Sequence, residues 1–215
     1  MAISSRNGGN TPSILFDCTF LIMRRSSMTI KTLTTEEMDV LRSIIGMTID
    51  SFEGCPLGPG DYYGAIRLNS SFASIDVSNF FEQADVSFEE GMGFEDVGTI
   101  HVKHSDGPLS FGDLVSGPAT KCIDLGLVVK GVEIVNDTIE MMLDGKVTNT
   151  FSFTQAIIFH FEKGDLVIDR NVWFEVILSA CFTGDAAKYI RNTEKDWNNG
   201  SGRYRAVVKR EFIAL

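Results

Sequence analysis

Histidines are the first residues to consider for chemistry, because histidine is the most common general base near neutral pH. The chain has three of them. His101 and His104 lie three residues apart in a predicted strand, so their side chains point to opposite faces and cannot share a metal ion. His160 lies diagonal to Asp169 when the surrounding hydrophobic run is folded as a hairpin. A His–Asp pair can orient an imidazole for catalysis, but no nucleophile is placed beside this one, so the pattern predicts no complete catalytic site.

Two further residues, Trp173 and Glu175, share that outer face of the predicted hairpin. An exposed tryptophan is a frequent anchor for a protein partner, which makes both residues candidates for partner binding. In the alternative interpretation, a helix covers this face and Trp173 belongs to the core. Ile158 and Val167 lie on the same side and support that alternative, so the sequence leaves both open.

A long acidic segment offers a second candidate surface. No lysine or arginine occurs from Leu68 to Val102, and phenylalanines are interleaved with the carboxylates there. The carboxylates expected to contact a basic partner are Glu82, Asp85, Glu89, Glu90, Glu95 and Asp96. The last four could also gather a divalent cation. A run of charge is usually a solvated face, however, and the sequence predicts no metal site.

The overall charge limits the class of partner. The formal net charge is −10, which argues against a general nucleic-acid binder and against docking on an anionic membrane. The four cysteines are far apart and form no C-x-x-C motif, as expected of reduced thiols in a cytoplasmic protein. The chain contains no nucleotide-binding, hydrolase or zinc-protease signature, so no cofactor is predicted.

The first 27 residues differ from the rest of the chain, because they begin with small polar residues and are basic on balance. Residues 1–27 are therefore predicted to be a disordered or loosely attached extension, and 28–215 a single domain. Thr34 and Glu37 form a capping box, which predicts a helix from there to about Ser51.

Helical spacing of apolar residues predicts a second helix from Asp185 to Trp197. The acidic segment, roughly Asp76 to Asp96, is expected to be irregular or partly helical. The rest of the domain is predicted to be sheet, with an antiparallel meander at its centre. Its four strands are expected at 127–135, 138–143, 147–161 and 165–182, with hairpin turns at 136–137 and 163–164.

One face of the last predicted hairpin is expected to be core, because strand side chains alternate between two faces. The residues expected on that face are Phe151, Phe153, Phe159, Phe161 and Phe174. The predicted class is therefore α+β, a mostly antiparallel sheet with one or two helices packed on it.

Two functions from different classes fit these patterns. The first is a non-enzymatic binding protein whose acidic surface engages a basic protein partner. An immunity- or inhibitor-type protein that neutralises a basic enzyme fits this charge pattern by analogy. The second is a small hydrolase or ligand-binding enzyme with a pocket between sheet and helix, using His160 and Asp169. The lack of a complete catalytic signature favours the first.

Overall fold

Strands account for most of the structure. The computed structural model describes residues 27–57, 60–86, 93–109, 121–172, 174–198 and 202–215. Within these ranges ten strands form one sheet. They are β1 (Ser27–Lys31), β2 (Thr48–Pro56), β3 (Tyr62–Ser70), β4 (Ile75–Asp85), β5 (Phe94–His104), β6 (Lys121–Leu143), β7 (Lys146–Phe161), β8 (Gly164–Arg170), β9 (Leu178–Thr183) and β10 (Tyr204–Ala214). The helices in the described part are α1 (Thr35–Ser43), α2 (Ala186–Tyr189) and α3 (Glu194–Trp197).

Six of the strands close into a ring. Each pairs antiparallel with the next in the order β6, β7, β8, β9, β3, β2 and back to β6. The join between β3 and β9 is the narrowest, because it has two residue pairs, Tyr62 with Ser179 and Tyr63 with Leu178. The other strands extend the ring: β10 pairs with β6, β1 pairs in parallel with β7, and the β4–β5 hairpin continues from β3.

The long strand β6 serves both the ring and its extension. Its first residues pair with β2, and from Val129 onward it pairs with β7. Near the change of partner Gly126 has a φ of +60°, and the pairing with β2 shifts by one residue beside it. Glycine adopts this left-handed conformation without a steric penalty, so it suits a bulge that bends the strand.

The larger hydrophobic cluster fills the ring. All six ring strands contribute buried side chains to it, among them Phe52, Tyr63 and Phe159. Leu41 of α1 and Ile44, the residue that caps the C-terminus of α1, also belong to it. A second cluster lies between the β4–β5 hairpin and the distal halves of β6 and β7. The hairpin therefore packs as a second layer over the extension of the sheet, and its two faces meet different surroundings.

The prediction of a sheet-dominated fold with antiparallel strands is confirmed. The predicted α+β class is not, because the described helices have nine, four and four residues and form a minor part of the structure. Four of the five phenylalanines expected in the core are buried, and Phe174 is exposed. Residues 1–26 of the predicted extension lie outside the described residues, and β1 begins at Ser27.

Both predicted helices are too long. The capping box at Thr34 and Glu37 is confirmed, but α1 ends at Ser43 and the chain enters β2 at Thr48. Gly46, with a φ of +85°, turns the chain between the two elements. In place of the second predicted helix are two four-residue helices, α2 and α3.

The turn predicted at 136–137 is wrong, because β6 passes straight through it. Two polar residues fit inside this strand since both have partners. Asn136 Oδ1 accepts a hydrogen bond from Thr154 Oγ1 (2.9 Å), and Asp137 forms an ion pair with Arg210. The predicted strand 165–182 is likewise divided into β8 and β9.

The described parts of the segment predicted to be irregular or partly helical form strands instead, since β4 extends to Asp85 and β5 begins at Phe94. The pairing of β4 with β5 stabilises strands here, although the local sequence pattern did not predict them. Residues 87–92 of the segment lie outside the described residues. The turn between β7 and β8 lies at 162–163, so the register differs from the predicted one by two residues. Each side chain keeps its predicted face because the strand period is two.

Candidate functional site

The structure separates the two residues of the predicted His–Asp pair. His160 pairs across the β7–β8 hairpin with Asp165, whereas Asp169 lies opposite Ala156. This four-residue offset corresponds to about 13 Å along a strand. His160 Nδ1 lies 2.8 Å from Asp165 Oδ1. The prediction that His160 and Asp169 act together is therefore wrong.

Asp169 is buried in a polar site. It is 4% exposed and accepts hydrogen bonds from Gln155 Nε2 (2.7 Å) and from the backbone N–H of Arg191 (3.1 Å). Burial raises the pKa of Asp169 to about 7, because removal from water disfavours the carboxylate. Those two hydrogen bonds and the charges of Arg210 and Arg170 oppose the rise. Asp169 is thus a carboxyl group that titrates near neutral pH.

A buried ion pair next to this site ties β6 to β10. Arg210 Nε and Nη2 donate to the two carboxylate oxygens of Asp137, both at 2.7 Å, and Asp137 is fully buried. Thr193 Oγ1 also donates to Asp137 (2.9 Å), and Arg210 Nη2 donates to the carbonyl of Arg191 (2.6 Å). These bonds fix the segment after α2, whose Arg191 N–H reaches Asp169.

The outer face of the β7–β8 hairpin is covered by this same segment. Ile190, directly after α2, packs with Ile158 and Val167. The two aliphatic residues that supported a covered face are therefore core. The covering element comes from the C-terminal part of the chain and is not the helix predicted at 34–51.

A pocket of about 310 Å³ lies between the sheet and α2. Its wall includes Asp61, Tyr62, Val167, Asp169, Cys181 and Tyr189. A second pocket of about 270 Å³ shares Asp61 and Cys181 with the first and opens toward the ring interior at Phe52 and Tyr63. Both lie at the narrow join between β3 and β9, where few backbone pairs close the ring.

The carboxylates of the acidic segment have different surroundings. Glu82 Oε2 lies 2.6 Å from Lys31 Nζ, and Glu82 Oε1 lies 3.0 Å from His101 Nε2. Asp85 is buried. Glu82 is therefore engaged within the fold and Asp85 is covered, which corrects their assignment to a partner-binding surface.

Of the other residues predicted to contact a partner, some are exposed and some lie outside the described residues. Glu95 and Asp96 on β5 are exposed. Glu89 and Glu90 lie outside the described residues, as does Trp173. The exposed part of the acidic segment within the described residues is thus centred on the start of β5.

His101 joins the hairpin to α1. Its Nδ1 lies 3.0 Å from Glu37 Oε1, while its Nε2 faces Glu82. The hydrogen bond to Glu37 raises the pKa of His101 most strongly, burial opposes it, and the two carboxylate charges add to the rise. Burial would raise the pKa of Glu37, but its hydrogen bonds with His101 and with two backbone N–H groups outweigh this and lower it.

The loop after β8 brings the two predicted binding regions together. Asn79 Nδ2 donates to the carbonyl oxygen of Glu175 (3.1 Å), which also lies against Gly98. Arg170 Nη1 donates to the carbonyl of Gly98 (2.6 Å). Glu175 therefore lies beside the middle of the β4–β5 hairpin, although the two regions are far apart in sequence.

Exposed phenylalanines lie at this junction that the sequence did not single out as candidate binding residues. Phe81 and Phe94 lie on the same hairpin face as Asn79 and Gly98, because side chains alternate along each strand. Phe81 is 48% exposed and Phe94 is 68% exposed. Phe174, next to Glu175 in the loop, is 54% exposed. Once β4 and β5 are known to be strands, their alternation would identify this face.

Asp96 lies on the same face between Phe81 and Phe94, and it accepts a hydrogen bond from Gln83 directly opposite. The patch is called here the aromatic–acidic surface. It consists of Phe81, Gln83, Phe94, Asp96, Phe174 and Glu175. Large apolar side chains gathered with carboxylates at one place are typical of a binding surface.

No three His, Cys, Asp or Glu side chains gather as metal ligands within the described ranges. In the same part of the chain no helix is long and apolar enough to cross a membrane. The chain matches no protein-family model, no curated protein and no solved structure. The chemistry of its surfaces and pockets therefore carries the functional conclusion.

Proposed function

We propose that the protein is a non-enzymatic binding protein whose aromatic–acidic surface engages a basic segment of a protein partner. The observation that carries this proposal is the exposure of Phe81, Phe94 and Phe174 beside exposed Asp96. A lysine or arginine of the partner would gain an ion pair with the carboxylate and a cation–π contact with the rings. Apolar partner side chains would cover the remaining ring surface.

The charge distribution supports a basic partner. The chain has a formal net charge of −10, and no lysine or arginine occurs from Leu68 to Val102. Lys31, which approaches this hairpin, forms an ion pair with Glu82 on the opposite face from Asp96. A complementary potential accelerates association and makes it sensitive to salt. Nucleic acid has the wrong charge for this surface.

The proposal includes an immunity- or inhibitor-type role, in which the partner is a basic enzyme that the surface neutralises. It also places the protein in the cytoplasm, where thiols stay reduced, and the three described cysteines are free. A toxin-like reading frame next to this gene would supply a defined partner. A hydrolase that uses His160 and Asp169 is not proposed, because the fold holds the two residues apart.

The test uses a labelled basic peptide that alternates arginine with leucine, together with the purified product of the neighbouring gene. We expect the double variant Asp96→Lys/Glu175→Lys to bind the peptide about tenfold more weakly, because two attractive charges become repulsive. The variant Phe81→Ser/Phe94→Ser should lose a similar factor without the same loss of salt dependence, since it removes apolar contact.

Matched controls use residues of the same type elsewhere on the surface. Asp124→Lys changes an exposed carboxylate on β6, and Phe72→Ser changes the highly exposed phenylalanine in the turn before β4. Neither should alter binding. Equal peptide affinity for the wild type and both double variants would reject the proposal, as would equal binding of a peptide with glutamate in place of arginine.

A further inference from the structure

The pocket between the sheet and α2 shares no described lining residue with the aromatic–acidic surface. Asp169 and Val167 contribute from β8, Cys181 from β9, and Tyr189 from α2. Its volume of about 310 Å³ lies at the small end of ligand pockets, which range from roughly 300 to 1,000 Å³.

The carboxyl group of Asp169 has unused acceptor capacity. A carboxylate offers about four lone-pair sites, and Asp169 uses one on each oxygen, for Gln155 and for the Arg191 N–H. Asp169 lines the pocket although it is 4% exposed, and strand alternation puts its side chain on the same face of β8 as Val167, which also lines the pocket. A ligand in the pocket would therefore meet a carboxyl group largely shielded from water. A shielded charge interacts with an opposite charge more strongly than one in water.

The other lining groups have the character of a cation site. Asp61 adds a second carboxylate, and the rings of Tyr62 and Tyr189 add two electron-rich faces. No lysine or arginine is among the described lining residues. Lys121 Nζ lies 3.3 Å from Asp61 Oδ1, but both side chains are exposed, so this pair contributes little and can be exchanged.

The arginines near Asp169 are committed to other groups. Arg210 binds Asp137 with both of its donor groups, and Arg170 lies with its guanidinium carbon 3.7 Å from the centre of the Phe153 ring. Neither lines the pocket. Their positive charges therefore reduce the attraction of Asp169 for a cation, but their side chains do not occupy the pocket.

We infer that this pocket binds a small organic ammonium compound, with Asp169 as the buried counter-ion and Tyr189 and Tyr62 as aromatic walls. A primary ammonium group donates three hydrogen bonds and carries a compact charge, which suits a carboxylate with free lone pairs. The negative net charge of the protein also raises the local concentration of cations.

Binding at this site should depend on pH. Asp169 has a pKa raised to about 7, so it is mostly protonated at pH 6 and mostly ionised at pH 8. The ionised form attracts the ammonium group, and binding releases the proton. The charged side chains that act on Asp169 are Arg210 and Arg170, and the titratable groups around the pocket are Asp61, Tyr62, Cys181 and Tyr189.

The test compares benzylammonium with benzyl alcohol, a neutral molecule of nearly the same shape, by calorimetry and by NMR of the full chain. We expect benzylammonium to bind more tightly at pH 8, and its affinity to fall about tenfold at pH 6, because primary amines stay protonated over this range while Asp169 does not. Benzyl alcohol should show little dependence on pH. Amide shifts should centre on Ser179 and Cys181 of β9 and on Tyr189.

The variant Asp169→Asn keeps the shape of the side chain and should bind benzylammonium about tenfold more weakly at pH 8, with the pH dependence lost. If this variant does not fold, Tyr189→Ala serves instead, because Tyr189 is exposed and its loss should weaken binding several-fold through the missing cation–π contact. Tyr204→Ala, on β10, is the control. Equal affinity for the two probes, pH-independent binding, or an unaffected Tyr189→Ala would overturn the inference.

Discussion

The β4–β5 hairpin and the region where α2 and β10 lie beside the ring carry the same types of residue in opposite surroundings. Both combine carboxylates with aromatic rings. On the hairpin, Asp96 and its neighbouring phenylalanines face solvent. On the other side, Asp137 and Asp169 are buried, and the segment after α2 donates a hydrogen bond to each of them. The first arrangement suits a macromolecular partner and the second a small ligand.

The difference teaches that the number of carboxylates in a segment does not show which of them are available. The sequence pointed to six acidic residues around the hairpin, and Glu82 proves to be engaged by Lys31 and His101. Asp169, which the sequence singled out as a partner for His160, proves instead to be a buried carboxyl group with a strongly raised pKa. Burial and nearby partners decide these properties, and both come from residues distant in the chain.

The largest effect is expected at the buried ion pair on the ring side. Arg210→Met removes the bidentate partner of Asp137 and leaves a buried carboxylate uncompensated, which should lower the free energy of unfolding by about 3–5 kcal/mol. Urea denaturation measures the change. Arg203→Met, which removes the exposed partner of Asp144, is the control and should have a much smaller effect. If both variants lowered the free energy of unfolding equally, burial would not distinguish the Arg210–Asp137 pair from the Arg203–Asp144 pair.

A smaller effect is expected where the loop after β8 touches the hairpin. In Gly98→Ala the added Cβ would overlap the carbonyl oxygen of Glu175 and press on the Asn79 side chain, so the loop must move. We expect a loss of about 1–3 kcal/mol. Because the loop carries part of the aromatic–acidic surface, binding of the basic peptide should weaken as well.

Gly107→Ala is the matched control for this change, since a Cβ there meets nothing within 4 Å. It should leave both stability and peptide binding unchanged. If Gly98→Ala lowered stability and left peptide affinity intact, the loop would not belong to the binding surface.

The smallest effect is expected at His101. Its pKa is raised in the folded protein by Glu37 and Glu82, so the charged imidazole stabilises the fold below the unfolded pKa of about 6.5, and this contribution is lost as pH rises through the folded value. Since His101 is partly exposed, solvent screening limits the contribution to about 0.5–1 kcal/mol.

The pH dependence of unfolding for His101→Gln measures this contribution. The variant should be less stable than the wild type at pH 6, and the difference in the free energy of unfolding should become small at pH 9. The acidic partners act in the opposite sense, because Glu37 and Glu82 have lowered pKa values and lose their contribution as pH falls toward and below 4.5. His104→Gln, at the exposed end of the same strand, is the matched control variant. A pH-independent difference between His101→Gln and the wild type would disprove the charge bridge.

Several elements could be predicted from local pattern because local chemistry decides them. The Thr34–Glu37 capping box needs residues only three apart, and it forms as predicted. The alternation at Phe151, Phe153, Phe159 and Phe161 predicts a buried face, and all four are buried. The predicted turn between β7 and β8 was misplaced by one residue, which shifts the pairing of the two strands by two residues. A shift of two residues leaves every side chain on its predicted face.

Other elements could not be predicted because their partners are far away in sequence. Asn136 and Asp137 are typical of a turn, but Thr154 and Arg210 satisfy them inside β6. The predicted contact of His160 with Asp169 depended on the predicted register of the β7–β8 hairpin. The observed register differs from it by two residues, so His160 pairs with Asp165 instead.

The sequence by itself determined that the chain is acidic, rich in strands, and built on a buried phenylalanine face, because composition and period-two alternation are properties of neighbouring residues. Only the tertiary structure decided that six strands close into a ring and that Glu175 meets Gly98. It also decided that Asp169 lies in a pocket under α2. These features depend on which distant segments pack together, and that choice fixes burial, charge pairing and hence the state of each carboxyl group.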